Sequence, residues 1–283
     1  MHERVTTLVN EGEAGIASGT GSVRISCVGS RSLVTHAFAT SPLRLLTPRN
    51  HGCGAWIYTS TYGGGLVDGD SLRLEVEVES NAVALLATQA ATKVYRSPRG
   101  TTAQMLCTVR EGGLLVVAPD PVVCFEKATY RQYQRFDLED SANLVCLDWF
   151  SSGRHAAGER WRFDRYQSRV EIRRSGRLVM LDAVSLDATD GDLVQRLGRF
   201  DAMLMAVLVG PSVQEYADAI ARGVESQPVT SRSNLIVGAS RIARGGCVLR
   251  IAGTSVEDVW LEVRRHLSFV PRLLGDDPWT RKR

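Results

Sequence analysis

The chain has 283 residues, of which 44% are hydrophobic and 23% charged, with a formal net charge of +3. This composition suits a globular protein with a substantial core and excludes long disorder, and the near balance of acids and bases supplies no strong field for nucleic acid or a membrane surface. The N-terminal stretch M-H-E-R-V-T-T-L-V-N-E-G-E carries acids where a signal peptide needs basic and then apolar residues, and no window holds the run of about 18 apolar residues that spans a bilayer.

In chain order, a first strand is expected at S-V-R-I-S-C-V from Ser22. The clearest follows at Ser71 to Glu79, where Leu72, Leu74, Val76 and Val78 fall on one face and Arg73, Glu75, Glu77 and Glu79 on the other. That alternation is the mark of a half-buried strand. Further strands are predicted at A-V-A-L-L-A-T from Ala82, A-Q-M-L-C-T-V from Ala103, L-L-V-V-A from Leu114 and N-L-V-C-L-D-W-F from Asn143. Others are W-R-F from Trp161, S-R-V-E-I-R-R from Ser168, R-L-V-M-L-D-A-V from Arg177 and A-M-L-M-A-V-L-V from Ala202. Glycine, serine or proline clusters separate most of them.

Helical signals wait for the last third. Ser212 is placed as the cap of a helix through V-Q-E-Y-A-D-A-I-A-R that stops at Gly223. Ser255 caps a second through V-E-D-V-W-L-E-V-R-R-H-L, which Pro271 ends or kinks. Between them L-I-V-G-A-S and C-V-L-R-I-A-G read as a strand pair. The expected fold is mainly β, a large β-rich body of stacked or helically wound sheets with two helices in the C-terminal third. No linker interrupts it, so residues 1–283 are read as one domain whose α/β portion, about 200–275, packs on the β body. No fixed-period repeat is visible.

The six cysteines, Cys27, Cys53, Cys107, Cys124, Cys146 and Cys247, form no C-x-x-C pair. Several sit in apolar runs as small core hydrophobes, and a reduced, cytoplasmic setting is expected. Tyr62 to Asp70, Y-G-G-G-L-V-D-G-D, has the letters of a phosphate or calcium loop. It runs into a strand and lacks both the lysine and the helix of a phosphate cradle. An EF-hand frame from Asp68 meets Leu72 and Val78 where oxygen donors belong. A glycine turn built on Gly63, Gly64, Gly65 and Gly69, shaped by Asp68 and Asp70, is the simpler reading.

In T-Q-A-A-T-K-V-Y-R-S from Thr88, Lys93 and Arg96 read as an exposed edge. In the segment from Asp148 to Phe163, Asp148, Arg154 and Glu159 come within reach of one another if the chain turns back, as a structural ion pair or as charges in a cleft. No Ser-His-Asp order, H-E-x-x-H or G-x-S-x-G appears, and the five histidines are dispersed.

Five ordered blocks between Ser41 and Phe163 carry a resemblance: S-P-L-R-L-L-T-P, Y-G-G-G-L-V-D-G-D, T-Q-A-A-T-K-V-Y-R-S, A-P-D-P-V-V-C-F-E-K-A-T-Y-R-Q and G-R-H-A-A-G-E-R-W-R-F. Together they resemble the UreD (UreH) family of urease accessory proteins. The resemblance implies a non-enzymatic, β-rich, helix-poor chaperone. Such a protein acts with UreF and the GTPase UreG to load nickel into apo-urease, with Ni2+ in transit and no tightly bound cofactor. It also implies a water-filled passage near Asp70, Thr92, Lys93, Asp148, Arg154 and Glu159, in which Asp70, Asp148 and Glu159 guide the cation and Arg154 orients a carboxylate. Spaced carboxylates with water suit transit better than a histidine cluster, which would hold nickel tightly. Asp68 departs from the family's glycine and adds a charge to the turn, and D-D-P-W-T-R-K-R only approximates the family's P-R-x-W ending. Two other classes remain: a β-scaffold adaptor without metal handling, and a β-sandwich hydrolase using Asp120 and Glu126 as acid and base.

Overall fold

The computed structural model describes residues 18–228 and 232–280; the acidic N-terminal segment and the basic tail 281–283 lie outside them. The first strands are β1 (Thr20–Val28), β2 (Arg31–Ala39), β3 (Leu43–Leu46), β4 (Ala55–Thr61), β5 (Ser71–Val78), β6 (Val83–Thr88), β7 (Thr92–Val94) and β8 (Thr101–Val109). Then come β9 (Leu114–Ala118), β10 (Val122–Cys124), β11 (Thr129–Leu138), β12 (Asn143–Ser151), β13 (Arg165–Arg174) and β14 (Arg177–Asp187). The last third holds α1 (Leu193–Leu197), β15 (Ala202–Val209), α2 (Gln214–Glu225), β16 (Leu235–Arg241), β17 (Cys247–Gly253), α3 (Val256–His266) and α4 (Val270–Leu274). The mainly β expectation holds, and α2 and α3 are the two longer helices.

Two sheets hold the strands. One has the order β14-β13-β11-β8-β5-β1-β2, and the other β16-β17-β15-β12-β9-β6-β4-β3. The chain crosses between them strand by strand, so β5, β8, β11 and β13 lie parallel in the first and β4, β6, β9 and β12 parallel in the second. Of the forms expected, the helically wound one is found. Parallel neighbours need a crossover, and here the opposite sheet provides it. Strands β4, β6, β9 and β12 begin at Ala55, Val83, Leu114 and Asn143, so one coil takes about 30 residues.

The corners repeat in bonds rather than in letters. At one edge the N–H groups of Ala82, Gly113 and Ala142 donate to the carbonyls of Glu79, Arg110 and Glu139. At the other, Asp70, Gly100 and Ala128 donate to Val67, Ser97 and Phe125. A short branch of the larger sheet, β10 paired with β12 and β7 paired with β10, is extended by a Leu66–Val94 bridge at this second edge.

Side chains stack across the coils because parallel strands keep register. Val23, Val76, Cys107, Phe136 and Ile172 are aligned neighbours on five successive strands, and all point into the core between the sheets. A second core lies on the outer face of the larger sheet, where Leu85, Val116, Leu147 and Leu204 meet Ala217 and Ile220 of α2 and Val259 and Val263 of α3. Buried on both faces, β9 and β12 therefore read as unbroken apolar runs, whereas β5, with one wet face, alternates. Among the described residues no helix is long and apolar enough to cross a membrane.

Three local expectations need correction. W-R-F is not a strand: Trp161 has φ of +56°, and its ring packs edge-on against Phe163 and Phe150. Ser212 does not cap α2; its N–H is taken by Asn143 Oδ1 at 2.7 Å, a turn over Pro211–Val213 leads in, and the helix passes through Gly223 to Glu225. Pro271 does not end the Ser255-capped helix, which stops at His266; it sits in the first turn of α4. The Ser255 cap itself is present, with Asp258 N–H donating to Ser255 Oγ at 3.0 Å.

Candidate functional site

Asp148 lies mid-strand on β12, and its carboxylate points between the sheets, only 9% exposed. Gln132 Nε2 on β11 donates to Oδ1 at 2.6 Å, and Ser168 Oγ on β13 donates to Oδ2 at 2.6 Å. Gln132 and Ser168 are register partners, two polar residues in a rung that is otherwise Leu72, Ala103 and Val184. Both donors are neutral, and no ion pair includes Asp148 among the described residues. Burial pushes its pKa up to about 6 against the pull of the two hydrogen bonds, and Asp182 nearby adds to the rise. At neutral pH the group is thus mostly a buried anion, which is costly unless a cation can approach.

Asp148 lines two cavities. One, of about 150 Å³, lies inside the coil and is lined by Thr88, Thr92, Asp120, Tyr130, Gln132 and Asp148 among others. The other, of about 340 Å³, is lined by Asp148, Phe150, Asp182, Met203, Ile236 and Arg250 among others, toward the edge where β14 and β16 end their sheets. In the first, Thr88 Oγ1 donates to Asp120 Oδ2 at 3.1 Å and accepts from Asp120 N–H at 2.7 Å.

Of the residues singled out in the sequence, the structure brings Asp148 and Thr92 to one cavity. Asp70 holds its own corner, accepting from Val67 N–H at 2.8 Å, and lines a separate polar cleft of about 690 Å³. Lys93 is exposed, and its carbonyl accepts from Leu66 N–H at 2.8 Å. Arg154 and Glu159 pair with each other: Arg154 Nε donates to Glu159 Oε2 at 3.0 Å and Nη2 to Oε1, with the guanidinium 4.4 Å from the Phe125 ring centre. That pairing holds the Glu159 carboxyl below its usual range. Asp120 lines the inner cavity, but Glu126 is an exposed partner of Arg162, so the two carboxylates of the hydrolase reading do not share a cleft.

The turn before β5 rests on its glycines. Gly63, Gly64 and Gly69 have φ of +79°, +72° and +89°, and a Cβ on Gly65 would meet Tyr95 Cε2 at 2.6 Å. Asp68 grips the next coil: Arg99 N–H donates to Oδ1 at 2.7 Å and Arg99 Nε to Oδ2 at 2.8 Å. The added charge is thus neutralised at the corner. Trp279, from the C-terminal block, is buried edge-on to Trp260 of α3.

Sequence reasoning missed Gln132, Ser168, Asp182 and Arg250. For Gln132 a signal existed: in T-Y-R-Q-Y-Q-R-F-D-L, period two puts it on one face with Tyr130, Phe136 and Leu138, a polar residue on an apolar face. Among the described residues no three His, Cys, Asp or Glu side chains gather around one point that could hold a metal ion.

A family model described as UreD urease accessory protein matches residues 17–282. The chain belongs to the UreD family. Urease accessory protein UreD of Sorangium cellulosum (strain So ce56) is 48% identical over 265 residues, covering 94% of this chain and 84% of the relative. That of Anaeromyxobacter sp. (strain Fw109-5) is 42% identical over 272 residues, covering 95% and 91%. Urease accessory protein D of Oryza sativa subsp. japonica is 34% identical over 299 residues, covering 95% and 97%. This UreD family member is a urease accessory protein, a maturation factor rather than an enzyme.

Proposed function

We propose that this UreD family member guides Ni2+, as cargo, through the two cavities that Asp148 lines. In this reading it works in the cytoplasm with UreF and the GTPase UreG, docked as a single domain on apo-urease. One observation carries the passage: a buried carboxylate lining two cavities is held by two neutral donors and forms no ion pair among the described residues. A dication passing there supplies the missing charge, and the hydroxyls of Thr88 and Thr92 with Asp120 offer oxygens in the inner cavity. One carboxylate with neutral oxygens attracts the ion without the imidazole or thiolate ligands that would retain it. No tightly bound cofactor is required. Asp70, Arg154 and Glu159 act here by holding the corners around the passage, and the missing phosphate loop is supplied by the GTPase partner.

The test co-expresses Asp148→Asn with UreF, UreG and apo-urease. Nickel content and urease activity are expected to fall about tenfold, the ratio given by ~1.4 kcal/mol of lost cation stabilisation. Asp70→Ala and Glu159→Ala are expected to lower thermal stability more than nickel loading. Full nickel loading by an assembled Asp148→Asn complex would sink the passage and leave the scaffold adaptor.

A further inference from the structure

An ion pair stands in the wall of the outer cavity. Arg250 Nη2 donates to Asp182 Oδ1 at 2.5 Å. Asp182 belongs to β14, the edge of one sheet, and Arg250 to β17 of the other. Among the described ion pairs it alone joins a strand of one sheet to a strand of the other. Both residues line the cavity that Asp148 also lines, in walls otherwise largely apolar. The Arg250 side chain is 55% exposed and that of Asp182 only 16%. The guanidinium therefore reaches in from water to cover an acid that faces the interior.

Building on the nickel-passage reading, we propose that the Arg250–Asp182 pair is the outer gate of that passage. The guanidinium occupies Asp182 until a divalent cation takes its place, and it returns when the ion leaves. An ion pair with one partner so exposed is screened and exchanges readily. A dication doubles the Coulomb attraction of a single positive charge, and it meets Asp148 on the same cavity wall. Displaced, the arginine keeps its charged end hydrated while its stem stays on apolar surface. Arginine does not lose its proton, so Arg250 remains a cation throughout the neutral range.

The experiment follows urease activation against Ni2+ concentration in the complete complex. Arg250→Gln leaves Asp182 uncovered, so the half-saturating Ni2+ concentration falls about two- to fivefold, the scale of an exposed ion pair. Asp182→Asn raises it by a similar factor, and Arg250→Lys stays near wild type. Arg250→Met keeps the stem against the cavity wall and gives the same fall as Arg250→Gln, which separates loss of the gate from loss of packing. An unchanged Ni2+ dependence in Arg250→Gln, Arg250→Met and Asp182→Asn overturns the gate. If Asp148→Asn still blocks loading in that case, the passage stands without it. If Asp148→Asn is also without effect, the passage falls too.

Discussion

The Asp148 carboxylate lives in conflict with its surroundings, and the conflict sets a pH dependence. Its folded pKa of about 6 lies above the ordinary 3.8, so the folded chain holds this proton more tightly than the unfolded one. Stability attached to the group is complete below pH 3.8 and is lost as pH rises through 6. Asparagine has no proton to lose. Asp148→Asn is therefore expected to gain on the wild type from a few tenths of a kcal/mol near pH 3.5 to about 3 kcal/mol above pH 7. Urea unfolding at both ends of that range measures the difference. A constant gap across the range would mean that the carboxylate is already compensated in the fold. This residue was visible in the sequence only as part of a motif, because its partners Gln132 and Ser168 are 16 and 20 positions away and meet it through strand register.

Elements here are fixed at their corners. Gly65 lies against the Lys93 carbonyl as well as Tyr95, with 2.8 Å between that oxygen and an added Cβ. Gly65→Ala is expected to cost about 1–3 kcal/mol by crowding, read from the urea midpoint. On the opposite edge, Asn143 is 1% exposed, donates to the carbonyls of Gly113 and Ser141, and accepts from Ser212 N–H. Asn143→Ala leaves those groups short of partners and is expected to cost about 1–3 kcal/mol. The same amide explains the misplaced helix start. A serine two residues before a helix looks like a cap, but its backbone was claimed by a corner 69 residues away. Strands were easier to read where one face is wet, as in β5, and the alternation of β11 was there to be seen. Trp161 was misjudged because its left-handed backbone serves an aromatic cluster, a tertiary demand that no local pattern carries.

For the molecule as a whole, burial sorts the six free thiols. Cys107, Cys124, Cys146 and Cys247 are buried, and burial pushes their pKa values up, while Cys27 is exposed and Cys53 half-buried. A thiol reagent is expected to label two cysteines in the native protein and the other four only as the chain unfolds. Early labelling of a third would reveal opening between the sheets. The mainly β character was legible from the period-two and β-rich runs, but the winding was not. What repeats every coil is a corner hydrogen bond and a register, and unrelated residues meet both requirements, so no repeat of letters marks them.

The winding also constrains how such a chain can change length. Removing one residue from β8 would shift Val76, Cys107 and Phe136 out of line and turn side chains of the altered strand to the wrong face. Between β12 and β13, in contrast, the chain spends residues 152–164 outside any strand, where a residue more or less leaves every rung aligned. Descendants of this sequence are thus free to grow in that connection or by whole coils, while the strands that place Asp148 are bound to a fixed count.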